Sequence, residues 1–237
     1  MTKTGRQNRA EEVAVSIREQ IFKGELKAGM RLIEQDIAKE YGMSRGPVRE
    51  ALKELEYEGL VISEVNKGCT IAHLSGEDAY EIFFLRGTLE KIALEKCGGK
   101  LLDSSILIMR NLVEDMKSIG DRKGQMATLI EYDERFHEEI LKSSKMPRLL
   151  HLWKYMSPLN GAMFLKVEES YQIQEEEALA NFLVSPRKDR KSVWVAHADI
   201  LEILEKGNLE ESVKMIENHY LRTGEMIYRW EKRKEGI

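Results

Sequence analysis

From residue 77 to residue 232 the chain repeats apolar side chains at the three- and four-residue spacing that is typical of α-helices. Glycine or proline stands in each break between the repeats. The pattern predicts helices at residues 77–97, 104–119, 126–143, 147–170, 191–206 and 209–232. A run of helices without a strand pattern favours an all-α bundle for this part of the chain.

The residues before this run have a different pattern. Two short strands are predicted at 60–63 and 69–73, separated by a turn, and together they make a small β-hairpin. Ser75 begins the next helix as an N-cap, with a carboxylate three residues later. We therefore predict a mainly α chain with two domains, at residues 8–74 and 75–232.

Composition and charge restrict the class of protein. With 42% hydrophobic and 33% charged residues, the chain can bury a sizeable core. It has neither an apolar run of membrane-spanning length nor an export signal, so we expect no membrane partner. Its two cysteines are far apart and do not indicate a disulfide framework, so we expect a cytoplasmic protein. The net charge of −4 excludes a simple polybasic nucleic-acid binder. Any DNA contact must therefore come from a local display of charge.

A helix-turn-helix pattern lies near the N-terminus. Helices are predicted at residues 10–23 and 34–41, followed by a sharp turn at Gly42 and a third helix that Ser44 caps and that runs to about residue 58. In a helix-turn-helix the second helix of the pair enters the major groove through its N-terminal residues.

The third helix has two distinct faces. One is an apolar arc and the other is a cationic stripe that begins at the N-terminal end, where bases would be met. The stripe consists of Arg45, Arg49 and Lys53. Arginine can make a bidentate contact with guanine. A surface helix whose arginines are only solvated remains the alternative, because four glutamates share this helix.

The stretches GMSRGPVREAL at 42–52 and LEYEGLV at 55–61 resemble the winged helix of GntR-type transcription regulators. Family members usually carry threonine or a similar residue where Gly46 stands, so this chain departs from the family in one polar contact. The resemblance implies a DNA-binding surface made of Gln35, Ser44, Arg45, Gly46, Arg49, Lys67 and Gly68, the last two at the tip of the wing.

Four side chains in the second domain have the spacing of a metal site. Asp133 and His137 are four residues apart and emerge on one helical face. His197 precedes the turn at Gly207 by ten residues and His219 follows it by twelve, so the two histidines can face each other across antiparallel helices. One carboxylate and three imidazoles suit zinc or nickel. On spacing alone, hydrogen-bonded core or surface histidines are the more common interpretation.

The pattern DERFH followed by two late histidines resembles the FCD subgroup of the GntR family, whose sensor is a helical bundle. This resemblance implies a divalent metal held by the four residues above, with a small carboxylate effector over it. It also implies that Arg86 meets the effector's carboxylate; the alternative is a surface pair with Glu90. Ala196 departs from the family, which often has glutamate before the histidine.

Together these patterns predict a ligand-responsive transcription regulator. We expect a repressor that binds a palindromic operator as a homodimer and that a carboxylate effector at the metal site releases. A metal-dependent enzyme that uses the Asp-His₃ site is the alternative, although neither an HExxH motif nor an evident general base accompanies the ligands. A DNA-binding protein without any ligand is a third interpretation.

Overall fold

The computed structural model describes residues 3–64, 68–119, 125–163 and 193–234. Its contacts divide the chain into two compact units, Met1–Leu74 and Ser75–Ile237. None of the described helices is long and apolar enough to cross a membrane.

The first unit combines three helices with a small sheet. In chain order its elements are α1 (Lys3–Phe22), β1 (Arg31–Leu32), α2 (Glu34–Glu40), α3 (Arg45–Tyr57), β2 (Val61–Glu64) and β3 (Gly68–Ile71). β3 lies in the centre of the sheet and pairs antiparallel with both other strands. The hairpin of β2 and β3 has the position of the predicted wing.

The turn between α2 and α3 depends on Gly42, whose φ of +59° is a left-handed conformation that glycine adopts without strain. The predicted apolar arc of α3 forms the core of this unit, where Val48, Ala51 and Leu55 are each 0% exposed. α1 packs on the same core through Val13 and is fixed at its outer face by an ion pair from Arg18 to Glu58, at the end of α3. The hydrophobic pattern of the sequence therefore determines how α3 faces the core.

The second unit is helical throughout its described part. Its elements are α4 (Gly76–Cys97), α5 (Asp103–Ile119), α6 (Met126–Ser143), α7 (Pro147–Tyr155), a helical segment over 157–163, α8 (Val193–Glu205) and α9 (Leu209–Lys234). Ser75 caps α4 in a capping box with Asp78, as predicted.

α4 and α9 pack unusually close together, because glycine lies at two points of their contact. A Cβ atom at Gly87 would lie 3.0 Å from Cβ of Tyr220, and one at Gly224 would lie 3.3 Å from Cβ of Phe83. Both distances are shorter than most side-chain contacts. This close approach brings the histidine-bearing turn of α9 against α4.

The predicted mainly α fold is confirmed, and three local predictions need correction. The helix predicted at 147–170 is interrupted at Met156, between α7 and the helical segment over 157–163. α1 begins at Lys3 rather than at residue 10, and the two-residue strand β1 was not predicted. β1 is too short to show an alternating pattern, and it forms because its residues pair with Cys69 and Thr70 of β3. The predicted turn residues 65–67 lie outside the described residues, as does the part of the helix predicted at 147–170 that follows residue 163.

Candidate metal centre and nucleic-acid interface

Asp133, His137, His197 and His219 lie together in the second unit. They come from three helices, α6, α8 and α9, and one ligand atom of each lies within 4.8 Å of those of the other three. His137 and His197 are almost completely buried, at 0% and 2% exposure, and Asp133 at 8%. The fold thus brings together the four residues whose spacing predicts a metal site.

The distances fit a single divalent ion. At a metal–ligand bond of about 2.1 Å, neighbouring ligand atoms are roughly 3.0–3.4 Å apart. Nε2 of His197 lies 3.0 Å from Oδ1 of Asp133, and Nε2 of His137 lies 3.8 Å from the same oxygen. A contraction of the wider separations by about an ångström would place all four ligand atoms on one ion.

A hydrogen bond on the far side of the His197 ring and a buried, unpaired nitrogen of the His137 ring also fit a cation. Nδ1 of His197 lies 2.8 Å from the carbonyl oxygen of Val193 and therefore donates to it. In the neutral ring, Nε2 then carries a lone pair that faces an Asp133 oxygen, which is favourable only with a cation or an additional proton between them. Nε2 of His137 is buried and has no hydrogen-bond partner among the described residues.

The charges around the cluster favour the deprotonated states that a metal needs at Asp133 and His219, but not at His137. Burial acts to raise the pKa of Asp133, but contact with His197 and the other imidazoles holds it well below its usual range. Burial, assisted by the neighbouring imidazoles, lowers the pKa of His219 well below its usual value. For His137 burial acts to lower the pKa, but Glu90 outweighs it and the pKa is raised. A metal ion would replace the proton that His137 attracts.

Arg86 is adjacent to this cluster and is 0% exposed. Its Nη2 lies 2.9 Å from Oε1 of Glu134, and its guanidinium carbon lies 3.7 Å from the centre of the Trp153 ring. The predicted alternative of an exposed pair between Arg86 and Glu90 is therefore wrong, because both are fully buried and Arg86 pairs with Glu134.

Two polar groups beside Arg86 complete its surroundings. The Asn160 side-chain amide and the Ser157 hydroxyl both donate to Glu134, and Arg86 Nη1 donates to the same hydroxyl at 3.3 Å. Nε of Arg86 and Oδ1 of Asn160 are buried and have no hydrogen-bond partner among the described residues. A buried polar atom without a partner is costly unless a ligand or water satisfies it.

Sequence reasoning missed Glu90, Trp153 and Tyr220. Glu90 accepts hydrogen bonds from Nδ1 of His137, from the Trp153 indole and from the Tyr220 hydroxyl. Its position four residues after Arg86, on the same helix, indicates by itself only a surface pair. The sequence carries no periodic signal for a polar contact between residues so far apart.

The cationic stripe of the first unit is exposed, with Arg45 at 61% and Arg49 at 56% side-chain exposure. Both guanidiniums contact the carboxylate of Glu34, at the start of α2. Ser44 has the extended backbone of an N-cap, but its hydroxyl makes no capping hydrogen bond and the side chain is exposed.

The remaining predicted DNA contacts lie around this stripe. Gln35 is exposed on the first turn of α2, and Gly46 is half-buried on the first turn of α3. Gly68 begins β3 with a φ of +88° and is exposed, whereas Lys67 lies outside the described residues. Contact between these residues and DNA stays a prediction.

Comparison with known proteins assigns both units. Residues 9–71 match the model of bacterial regulatory proteins of the gntR family, and residues 81–222 match the FCD domain. The chain belongs to the GntR family. Its relatives and its fold are those of transcription regulators and not of enzymes.

Individual relatives agree with this assignment. The chain is 29% identical, over 143 residues, to an uncharacterised HTH-type transcriptional regulator of Bacillus subtilis, YdhC; the match covers 60% of this chain and 64% of that protein. It is 30% identical to the Nta operon transcriptional regulator of Aminobacter aminovorans, over 69% of this chain and 77% of that one. Among solved structures, Escherichia coli McbR/YncC has the same fold, with a TM-score of 0.69 at 21% identity, over 94% of this chain and 98% of that one.

Proposed function

We propose that the chain is a ligand-responsive transcription regulator, most simply a repressor, that binds a palindromic DNA operator as a homodimer in the cytoplasm. In this proposal residues 8–74 bind DNA and residues 75–232 bind the effector and form the dimer. The observation that carries the proposal is the convergence of Asp133, His137, His197 and His219 in a chain that also displays Arg45 and Arg49 on a winged helix.

The relatives support repression. A gluconate operon transcriptional repressor of Bacillus licheniformis is 28% identical to this chain over 166 residues, which cover 68% of this chain and 67% of that protein. A repressor occupies its operator until the effector binds. The effector must therefore have a higher affinity for the arrangement that does not bind DNA, since only a difference in affinity can shift that equilibrium.

The effector is proposed to be a small carboxylate held at a divalent metal ion. Three imidazoles and one carboxylate would bind zinc or nickel and leave coordination positions open. A carboxylate oxygen could take an open position, where the metal supplies charge stabilisation, while Nε of Arg86, buried without a described partner, donates to the effector. Asn160 Oδ1 is available to a donor group of the same ligand.

The decisive experiment compares wild type with His219→Ala. Both proteins are supplemented with zinc or nickel and analysed for metal content, and each is titrated with a DNA duplex that the wild type has selected from a random library. The titrations are repeated with acetate, lactate, citrate and gluconate. We expect one carboxylate to release wild type from DNA, whereas His219→Ala should hold metal far more weakly and should bind DNA without responding.

His151→Ala is the matched control, because His151 is exposed on α7 and belongs to no predicted site. It should retain both the metal and the response. The metal proposal is wrong if supplemented wild type carries no divalent ion, or if His219→Ala responds as wild type does.

Dimer formation through the second unit is supported by an exposed apolar row on α4. Tyr80, Phe84 and Ile92 are 40%, 50% and 38% exposed at multiples of four residues, and the first two rings stack 6.4 Å apart. Exposed apolar side chains grouped on one helical face are typical of interfaces. Phe84→Ser should shift the full chain toward monomer in sedimentation, whereas Leu107→Ser, at an exposed position on α5, should not.

A further inference from the structure

Glu34 is the residue in contact with both arginines of the proposed recognition surface. Its Oε2 lies 2.8 Å from Nη2 of Arg45 and 2.9 Å from Nη2 of Arg49. Nε of Arg45 lies 3.2 Å from Oε2, and Nε of Arg49 lies 3.0 Å from Oε1. One carboxylate thus accepts four charge-assisted hydrogen bonds from two guanidiniums.

The backbone on both sides of Glu34 is anchored. Leu32, two residues earlier, is 6% exposed and pairs with Cys69 in the sheet. Ile37, three residues later, is 7% exposed in the core. Glu34 itself has a side-chain exposure of only 24%, although the arginines that it contacts are more than half exposed. The Glu34 carboxylate is therefore held in a fixed position, and it orients the long side chains of Arg45 and Arg49.

The contact with Glu34 leaves one edge of each guanidinium, formed by Nη1 and Nη2, available to a further partner. Glu34 takes Nε and one hydrogen of Nη2, so Nη1 and the second hydrogen of Nη2 remain outside this contact. That end-on edge is the one that makes a bidentate contact with O6 and N7 of guanine. An arginine held in advance loses less conformational freedom when it binds DNA.

We propose that Glu34 is a positioning residue for sequence recognition, which holds Arg45 and Arg49 with their end-on edges directed at the major groove. This inference rests on the proposed DNA-binding function and goes beyond it, because it assigns sequence discrimination to a carboxylate that DNA phosphates would repel. A simple surface counter-ion would instead weaken binding to all DNA sequences equally.

The test compares Glu34→Gln with Glu40→Gln, in the full-length protein. Glu40 is exposed on the same helix, so both changes remove one negative charge from α2. For each variant the dissociation constant is measured for a duplex selected from a random library by wild type and for a shuffled duplex of the same composition. Discrimination is the dissociation constant for the shuffled duplex divided by that for the selected duplex. We expect this ratio to fall roughly tenfold in Glu34→Gln, which is the discrimination of about one bidentate contact. In Glu40→Gln the ratio should stay at the wild-type value.

Two further variants make the outcome specific. Glu34→Asp keeps the charge on a shorter side chain and should recover part of the discrimination. In a background that already carries Arg45→Ala and Arg49→Ala, Glu34→Gln should cause no further loss, because it acts through those two side chains.

An unchanged ratio in Glu34→Gln would overturn the inference, and so would a further loss on adding Glu34→Gln to the background that lacks both arginines, since Glu34 would then contact a base itself. If the arginine variants lose discrimination while Glu34→Gln keeps it, DNA recognition stands and only the role of Glu34 fails. A wild-type protein that selects no sequence would overturn both proposals.

Discussion

Nδ1 of His137 donates a hydrogen bond to Oε2 of Glu90 across 2.9 Å, although 47 residues separate the two in the chain. The other oxygen of Glu90 accepts from the Trp153 indole at 2.9 Å and from the Tyr220 hydroxyl. Three donors from α6, α7 and α9 therefore converge on a fully buried carboxylate of α4. The contact assigns the hydrogen of the His137 ring to Nδ1 and leaves Nε2 for a metal ion.

Glu90→Gln should weaken metal binding without removing a ligand. The amide is nearly the same size but attracts the Nδ1 hydrogen less strongly, so the ring is a poorer ligand and its orientation is less fixed. We expect a loss of about 10–100-fold in metal affinity, measured by competition with a chromophoric chelator. Glu81→Gln, at an exposed position on the same helix, is the control and should bind metal as wild type does. Equal affinities in the two variants would exclude a supporting role for Glu90.

Arg45→Ala and Arg49→Ala should each weaken binding to the selected duplex by roughly 1–3 kcal/mol. The expected cause is the loss of a base contact at the N-terminal end of α3, where both side chains are exposed. Metal content should not change, because neither residue belongs to the second unit. Arg110→Ala removes an exposed arginine from α5 and should leave DNA binding unaltered. Unaltered binding in both α3 variants would contradict the recognition-helix assignment.

The sequence predicted the helices well because their signal is local. Apolar spacing and glycine or proline breaks repeat every few residues, and the structure places α5, α6 and α9 within two residues of the predicted bounds wherever it describes them. The meeting of His197 and His219 could also be predicted, since one short turn relates their two helices. Their ring centres lie 5.6 Å apart.

The polar contacts made by Glu34 and Glu90 could not be predicted in the same way. Glu34 is 15 residues from Arg49, and Glu90 is 63 residues from Trp153, so no periodic pattern connects them. Such pairs are determined by how the helices pack, and packing depends on small residues such as Gly87 whose importance appears only when a neighbour is near. By itself, a glycine within a helical pattern indicates only a weaker helix.

Gly87→Ala should affect both stability and metal binding. The added methyl group would press on the Tyr220 side chain, whose hydroxyl donates to Glu90. Overpacking of this kind costs about 1–3 kcal/mol, partly offset by the better helix propensity of alanine. Gly224→Ala makes the same change in the same helix pair but presses on Phe83 and Tyr80. Denaturant unfolding should show both variants destabilised, while chelator competition should show weaker metal binding only in Gly87→Ala.

The ion pair between the fully buried Arg86 and the partly buried Glu134 allows the stability of the fold and the binding of effector to be tested separately. Arg86→Met would leave the Glu134 carboxylate, whose side chain is 18% exposed, without its cation, at a cost of up to about 3 kcal/mol in the free energy of unfolding. Adding Glu134→Gln removes the remaining charge and keeps an acceptor for the Ser157 hydroxyl, so the double variant should regain part of that stability. The response of DNA binding to the active carboxylate should stay absent in both, because the guanidinium that would bind it is missing. If the response returns together with stability, Arg86 serves only the fold and the effector binds through other groups.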